Sequence, residues 1–190
     1  MDTMLSLFVG IGLSAAVGFR VFVPFLIMSI AALAGHLDLA SGFGWIGSYP
    51  ALIAFSTATI VEVAAYLIPW LDNLLDTIAT PTAVVAGVIA TASMVTDVSP
   101  LLKWTLAIIA GGGVAGAVQA STVTVRAAST ATTGGLGNPL VSITEFFGSV
   151  ITTILAIVVP LVTVVLLATG FFLIGRQLRR ISRPRRGWLD

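Results

Sequence analysis

Gly12-Leu-Ser-Ala-Ala-Val-Gly-Phe-Arg20-Val-Phe-Val-Pro24-Phe-Leu26 is an apolar run with an arginine set in its middle. An unpaired guanidinium facing lipid is costly, so Arg20 has to face protein or water and needs a carboxylate partner, with Glu62 the first choice. The enclosing apolar segment, 5–33, would extend roughly 43 Å as a straight helix, more than a hydrocarbon core of roughly 30 Å demands. It must therefore tilt, bend or break. Gly10, Gly12 and Gly18 permit close helix contact, and Pro24 removes the backbone bond that would reach back to Arg20. We expect a kinked spanning helix with small-residue packing rather than a re-entrant break.

The run returns in weakened form later in the chain. Gly12-Leu13-Ser14-Ala15-Ala16-Val17 aligns with Gly113-Val114-Ala115-Gly116-Ala117-Val118. The order glycine-rich helix, Pro, Glu, Pro, apolar helix also occurs twice, with Pro50, Glu62 and Pro81 in the first case and Pro139, Glu145 and Pro160 in the second. The chain thus reads as two related halves, 1–98 and 99–175, inverted if each crosses the membrane an odd number of times. Three crossings apiece give six and place both termini in the cytoplasm; the break at Pro160 leaves five open.

Composition makes this an integral membrane protein. Of 190 residues 57% are hydrophobic and 9% charged, against about a quarter charged in soluble proteins, and the mean hydropathy is +1.09. One small core cannot bury so much apolar surface, so lipid must solvate most of it. The expected fold is all-α, a polytopic bundle of five to six spans with kinked or broken helices. Six of the nine basic residues, Arg176, Arg179, Arg180, Arg183, Arg185 and Arg186, crowd the tail 176–190. The positive-inside rule places that tail in the cytoplasm, where it would attract anionic lipid headgroups. No aromatic interleaving accompanies the arginines, which argues against nucleic acid. With no cysteine there is no disulfide, thiolate metal site or cysteine nucleophile. The apolar start lacks a basic leader and is read as mature structure.

Along the chain, 35–49 reads as an external loop, and 50–70 as a second span with Glu62 well inside. Apolar residues at 71, 74, 75 and 78 alternate at helical spacing with polar ones, which predicts a short interfacial helix or half-helix carrying Asp72 and Asp76 one turn apart. A short third span follows over 81–95, and a fourth over 101–118 with a seam at Gly111-Gly112-Gly113. From Gln119 to Asn138 hydroxyls accumulate around Arg126, which points to a wet or protein-buried face. The stretch 139–175 is too long for one span and divides or kinks at Pro160.

Glu62-Val-Ala-Ala-Tyr66-Leu-Ile-Pro69-Trp-Leu-Asp72-Asn-Leu-Leu-Asp76-Thr-Ile-Ala-Thr-Pro81, taken with the segment around Arg20, resembles an uncharacterised bacterial membrane family, domain of unknown function 4126. The resemblance covers nearly everything before the basic tail. It implies membrane location and prokaryotic origin, hence the inner (plasma) membrane, and brings no activity. The family more often carries an acidic residue near Tyr66, and the resemblance gives Tyr66 no role.

These features point to a small secondary transporter or channel-like protein, proton- or cation-coupled, with Arg20, Glu62, Asp72, Asp76, Gln119, Arg126, Asn138 and Glu145 lining a pathway. Arg20 would pair with Glu62, and Arg126 with Glu145. A lipid-handling or flipping protein and a purely structural or assembly protein are the alternatives. No Gly-x-Ser-x-Gly, His-Glu-x-x-His or cysteine site is present, so neither an enzyme nor a cofactor or metal is expected. Substrate and homo-oligomerisation are left open.

Overall fold

The computed structural model describes residues 2–181, except for the side chains of Pro69, Trp70, Asp72, Asn73, Leu74, Leu178, Arg180 and Ile181. The described residues form helices joined by turns, with no strand among them. The tail arginines 183, 185 and 186 lie outside the described residues.

Helix α1 (Thr3–Phe19) is the hub and packs against four others: α4 (Pro69–Ala92), α6 (Gly113–Thr133), α7 (Asn138–Val158) and α8 (Pro160–Ile181). Its small residues make this possible. A Cβ at Gly12 would stand 2.6 Å from Ala156 Cβ, and one at Gly18 would stand 2.6 Å from both the Ala115 carbonyl oxygen and Val118 Cβ. Where backbones come this close, hydroxyls can tie them: Ser14 Oγ and Thr91 Oγ1 lie 2.7 Å apart and donate to the carbonyls of Gly87 (2.8 Å) and Gly10 (3.1 Å). Ser149 Oγ donates to the Ala16 carbonyl at 2.9 Å.

The first apolar segment is neither straight nor merely kinked. α1 ends at Phe19, Arg20 is extended (φ −148°, ψ 127°), and α2 (Phe22–Leu33) begins at once. Successive neighbours of α1 are Ala156 at Gly12, Ser149 at Ala16 and Ser142 at Arg20, so α1 runs antiparallel to α7. α2 runs antiparallel to α3 (Tyr49–Tyr66), since Phe22 meets Glu62 and Phe25 stacks on Phe55 with ring centroids 5.4 Å apart. α3 and α7 themselves point in opposite senses. The two pieces are therefore a helical hairpin that enters and leaves on one side, with its tip at Arg20-Val21. This corrects the expected kinked span. Pro24 has no N–H, and the neighbouring orphan donors at the start of α2 are satisfied by a carboxylate: Val21 N–H donates to Glu62 Oε1 at 2.8 Å and Phe22 N–H to Oε2 at 3.1 Å. A break supplied with such partners is stable at membrane depth.

Among the described residues, five helices are long and apolar enough to cross a membrane. They are α3, α4, the continuous rod Pro100–Thr133, α7 and α8. The rod comprises α5 (Pro100–Leu106), a π-helical segment at Ala107–Gly112 and α6; its wider turn lies where Gly111 packs on Gly87 and Thr91. Two expectations change here. Pro81 lies inside α4 and heads no separate span, and residues 71–78 form the first turns of that same helix instead of a short helix of their own. The chain turns earlier, at Leu67-Ile68, where Pro69 suits a helix start. Pro160 does divide 139–175, with Val159 between α7 and α8, and α8 continues past Gly175 into the basic region.

The hydroxyl-rich stretch 119–138 has two faces. Ser121, Thr124 and Thr132 are exposed and donate to the carbonyls of Ala117, Ala120 and Ala128, one turn back on their own helix. Only a stripe containing Ala115, Gln119, Thr122 and Arg126 is buried.

A hairpin plus five crossings puts Thr3 and the end of α8 at opposite ends of the bundle, in place of termini on one side. In this cysteine-free chain, Asp2→Cys and Gln177→Cys should react with a membrane-impermeant maleimide from opposite sides of sealed vesicles. Labelling of both from the same side would overturn the hairpin.

Candidate functional site

The hairpin tip meets α3, α4, α6 and α7 at one level. Glu62 stands twelve residues after Pro50 near the end of α3, and Glu145 six after Pro139 near the start of α7. Because the two helices run in opposite senses, this unequal spacing is what brings both carboxylates together. Arg126 arrives on the inward stripe of α6, and Asp76 from the second turn of α4.

Both guanidiniums are only 2% exposed. Arg20 Nη2 lies 3.0 Å from Glu145 Oε2, donates to the Ser142 carbonyl at 3.1 Å and also bonds the Ser142 hydroxyl. Arg126 Nη2 bonds the same Glu145 oxygen, while its Nε lies 3.3 Å from Asp76 Oδ2. The buried ring of Tyr66 takes both cations, with Arg20 Cζ 3.9 Å and Arg126 Cζ 4.2 Å from its centroid. Two like charges this close require negative groups between them. Glu145, Asp76 and the electron-rich tyrosine face supply them.

Arg20 therefore pairs with Glu145, not Glu62, which corrects the expected partner. Glu62 is committed to the backbone of the hairpin tip and makes no ion pair with a basic side chain among the described residues. Arg20, Arg126, Glu145 and Asp76 thus form one cluster with Glu62 at its edge, and the described groups hold one more carboxylate than guanidinium. Gln119 is buried two turns back along α6, away from the ion pairs. Asn138 sits at the start of α7, where its Nδ2 donates to Thr130 Oγ1 at 2.9 Å and ties α6 to α7. The side chain of Asp72 lies outside the described residues. Tyr66 and Ser142 are additions. Tyr66 follows Glu62 at i+4, so both lie on one face of α3; that spacing was the available signal.

Clefts flank the cluster on two sides. One of about 590 Å³ lies between α3 and α4 and reaches Glu62 and Tyr66; another of about 460 Å³ shares Val21, Phe22 and Thr82 with it and continues the groove toward Trp45. A separate cleft of about 380 Å³ lies beside α6 and α7, lined by Phe19, Thr122 and Leu140, and reaches Glu145. Each glutamate therefore borders a different cleft, with the arginines between them.

No curated protein and no solved structure matches the chain. A family model, domain of unknown function (DUF4126), matches residues 7–180. Nearly the whole helical bundle, including every residue of the charged cluster, falls within that match, and the chain belongs to the DUF4126 family.

Proposed function

We propose that this protein is a small secondary carrier in which a proton or another cation moves with the charge of Glu62. The observation that carries the reading is the re-entrant hairpin: its broken tip holds a buried charge cluster, and clefts approach that cluster from two sides, each touching a different glutamate. Broken helices at membrane depth line ion and substrate paths in carriers of other folds, because the free helix ends provide partial charges without a desolvated side chain. In this scheme Glu145 is a fixed counter-ion, held by two arginines. Glu62 is the carboxylate whose charge can change without stranding a guanidinium. When it does, the hold on the α2 amides changes with it, which couples occupancy to the hairpin.

The six tail arginines support a cytoplasmic carboxyl terminus in the inner membrane and contact with anionic lipid. The cluster lies toward the same end of the bundle as the end of α8, so the hairpin would enter from outside. The Pro-led pairs α3–α4 and α7–α8 run in opposite senses, which supports reading 1–98 and 99–175 as inverted halves.

Proteoliposomes loaded with a pH-reporting dye test this. Addition of a driven cation from a panel of sodium, potassium and organic ammonium ions should change the lumenal pH, Glu62→Gln should abolish the response, and Arg176→Ala should leave it. No response to any cation, or a Glu62→Gln response equal to the parent, would sink the carrier reading. Transfer of a fluorescent phospholipid between leaflets without a pH response would favour lipid flipping, and neither activity would favour a structural role.

A further inference from the structure

We infer that the α3–α4 groove binds an amphiphilic monocation, an apolar body bearing one positive charge, with Glu62 as its counter-ion. The inference rests on the carrier reading and names its substrate class. α3 packs along α2, and a groove opens between α3 and α4 with Val21 and Phe22 on its lining. Its deeper part, about 590 Å³, falls within the range of about 300–1,000 Å³ that drug-sized ligands occupy. The walls are almost entirely apolar. The two threonines on them have already turned inward: Thr57 Oγ1 donates to the Ile53 carbonyl at 2.9 Å and Thr82 Oγ1 to the Ile78 carbonyl at 2.7 Å. Among the described residues Glu62 is the single charged one on the lining.

Each Glu62 oxygen accepts one backbone N–H, and a carboxylate offers about four acceptor positions, so it retains capacity for a cation. The two arginines nearby do not cancel that charge, because Glu145 and Asp76 answer them. Exposed apolar residues such as Val61 and Ile78 edge the groove, so its mouth faces the lipid acyl chains and admits a ligand already dissolved in the bilayer. A phospholipid is the wrong occupant. Its headgroup carries a phosphate, and among the described residues the groove lining offers no basic side chain to receive one, only a carboxylate that repels it. A neutral apolar molecule would leave Glu62 without a counter-charge in a low-dielectric wall, where an ion pair is worth more than in water.

Tetraphenylphosphonium and tetraphenylborate have the same shape and opposite charge, and their binding to the full chain in detergent isolates the charge requirement. Tetraphenylphosphonium should bind at least about tenfold tighter than tetraphenylborate, and Glu62→Gln should weaken it by at least about tenfold. Ala58→Trp, which fills the groove and leaves Glu62 in place, should abolish binding without lowering the melting temperature; it keeps the test decisive if Glu62→Gln fails to fold. Added phosphatidylethanolamine or phosphatidylglycerol should not displace the phosphonium. Equal binding of the two ions, parental affinity in Ala58→Trp, or displacement by phospholipid would overturn the inference. Phosphonium binding with no cation-driven pH change in proteoliposomes would remove the carrier reading alone; a sodium- or potassium-driven response with no phosphonium binding would remove this inference alone.

Discussion

Glu145→Leu should lower the melting temperature of the detergent-solubilised protein by about 6–20 °C, the consequence of losing roughly 3–5 kcal/mol when one member of a buried ion cluster is removed. Both arginines reach the same oxygen of Glu145, so its loss strands two guanidiniums that are each 2% exposed, leaving Arg126 paired with Asp76 and Arg20 in contact with no carboxylate among the described residues. The cost lies in those uncompensated cations rather than in the lost attraction. For that reason Glu145→Leu combined with Arg126→Met should recover part of the loss, because the second change removes one of the stranded charges. Arg176→Ala, on the exposed final stretch of α8, should move the midpoint by no more than about 1–2 °C. A midpoint for Glu145→Leu equal to that of Arg176→Ala would mean that the cluster is hydrated and contributes little to the fold.

Gly18→Leu should be strongly damaging although it touches no charged group directly. Even a Cβ at this position would stand 2.6 Å from the Ala115 carbonyl oxygen and from Val118 Cβ, and neither is the far end of a flexible side chain. Overpacking of this kind costs about 1–3 kcal/mol and more where backbone must move. Here α1 would have to separate from α6. Arg20 lies two residues further on and would be carried away from Glu145, so the substitution should also disrupt the cluster. Gly170→Leu on α8, where an added Cβ meets nothing within 4 Å, should be neutral or slightly stabilising. Purified yield and melting midpoint of the two variants read this out. Equal behaviour would mean that α1 is free to shift and is not the hub of the bundle.

Membrane location, the all-helical class, the Pro160 division and the singling out of Arg20, Glu62, Asp76, Arg126 and Glu145 as residues needing an explanation are legible in the sequence. Each follows from properties of one segment at a time: hydropathy over a span, a missing N–H at proline, or the cost of a charge among apolar neighbours. The misreadings have a common origin. Pro81 looks like a helix start, yet the chain has already turned at 67–68 and α4 runs from Pro69 through Pro81. Glu62 looks like the partner of Arg20 because it is the first carboxylate along the chain set well inside an apolar span.

Hydropathy and the cost of a lone charge in lipid already dictate a membrane-embedded helical bundle whose few buried charges must find partners within it. Which partners they find follows from the packing of the helices. Arg20 reaches Glu145 across 125 positions of chain because α1 and α7 pack antiparallel through Gly12, Ala16 and Ser149, while Glu62 is drawn off by the amides of the hairpin tip. Helix direction and facing surface are collective results of close packing between segments distant in sequence, and periodicity along one segment carries no information about which face of another it will meet.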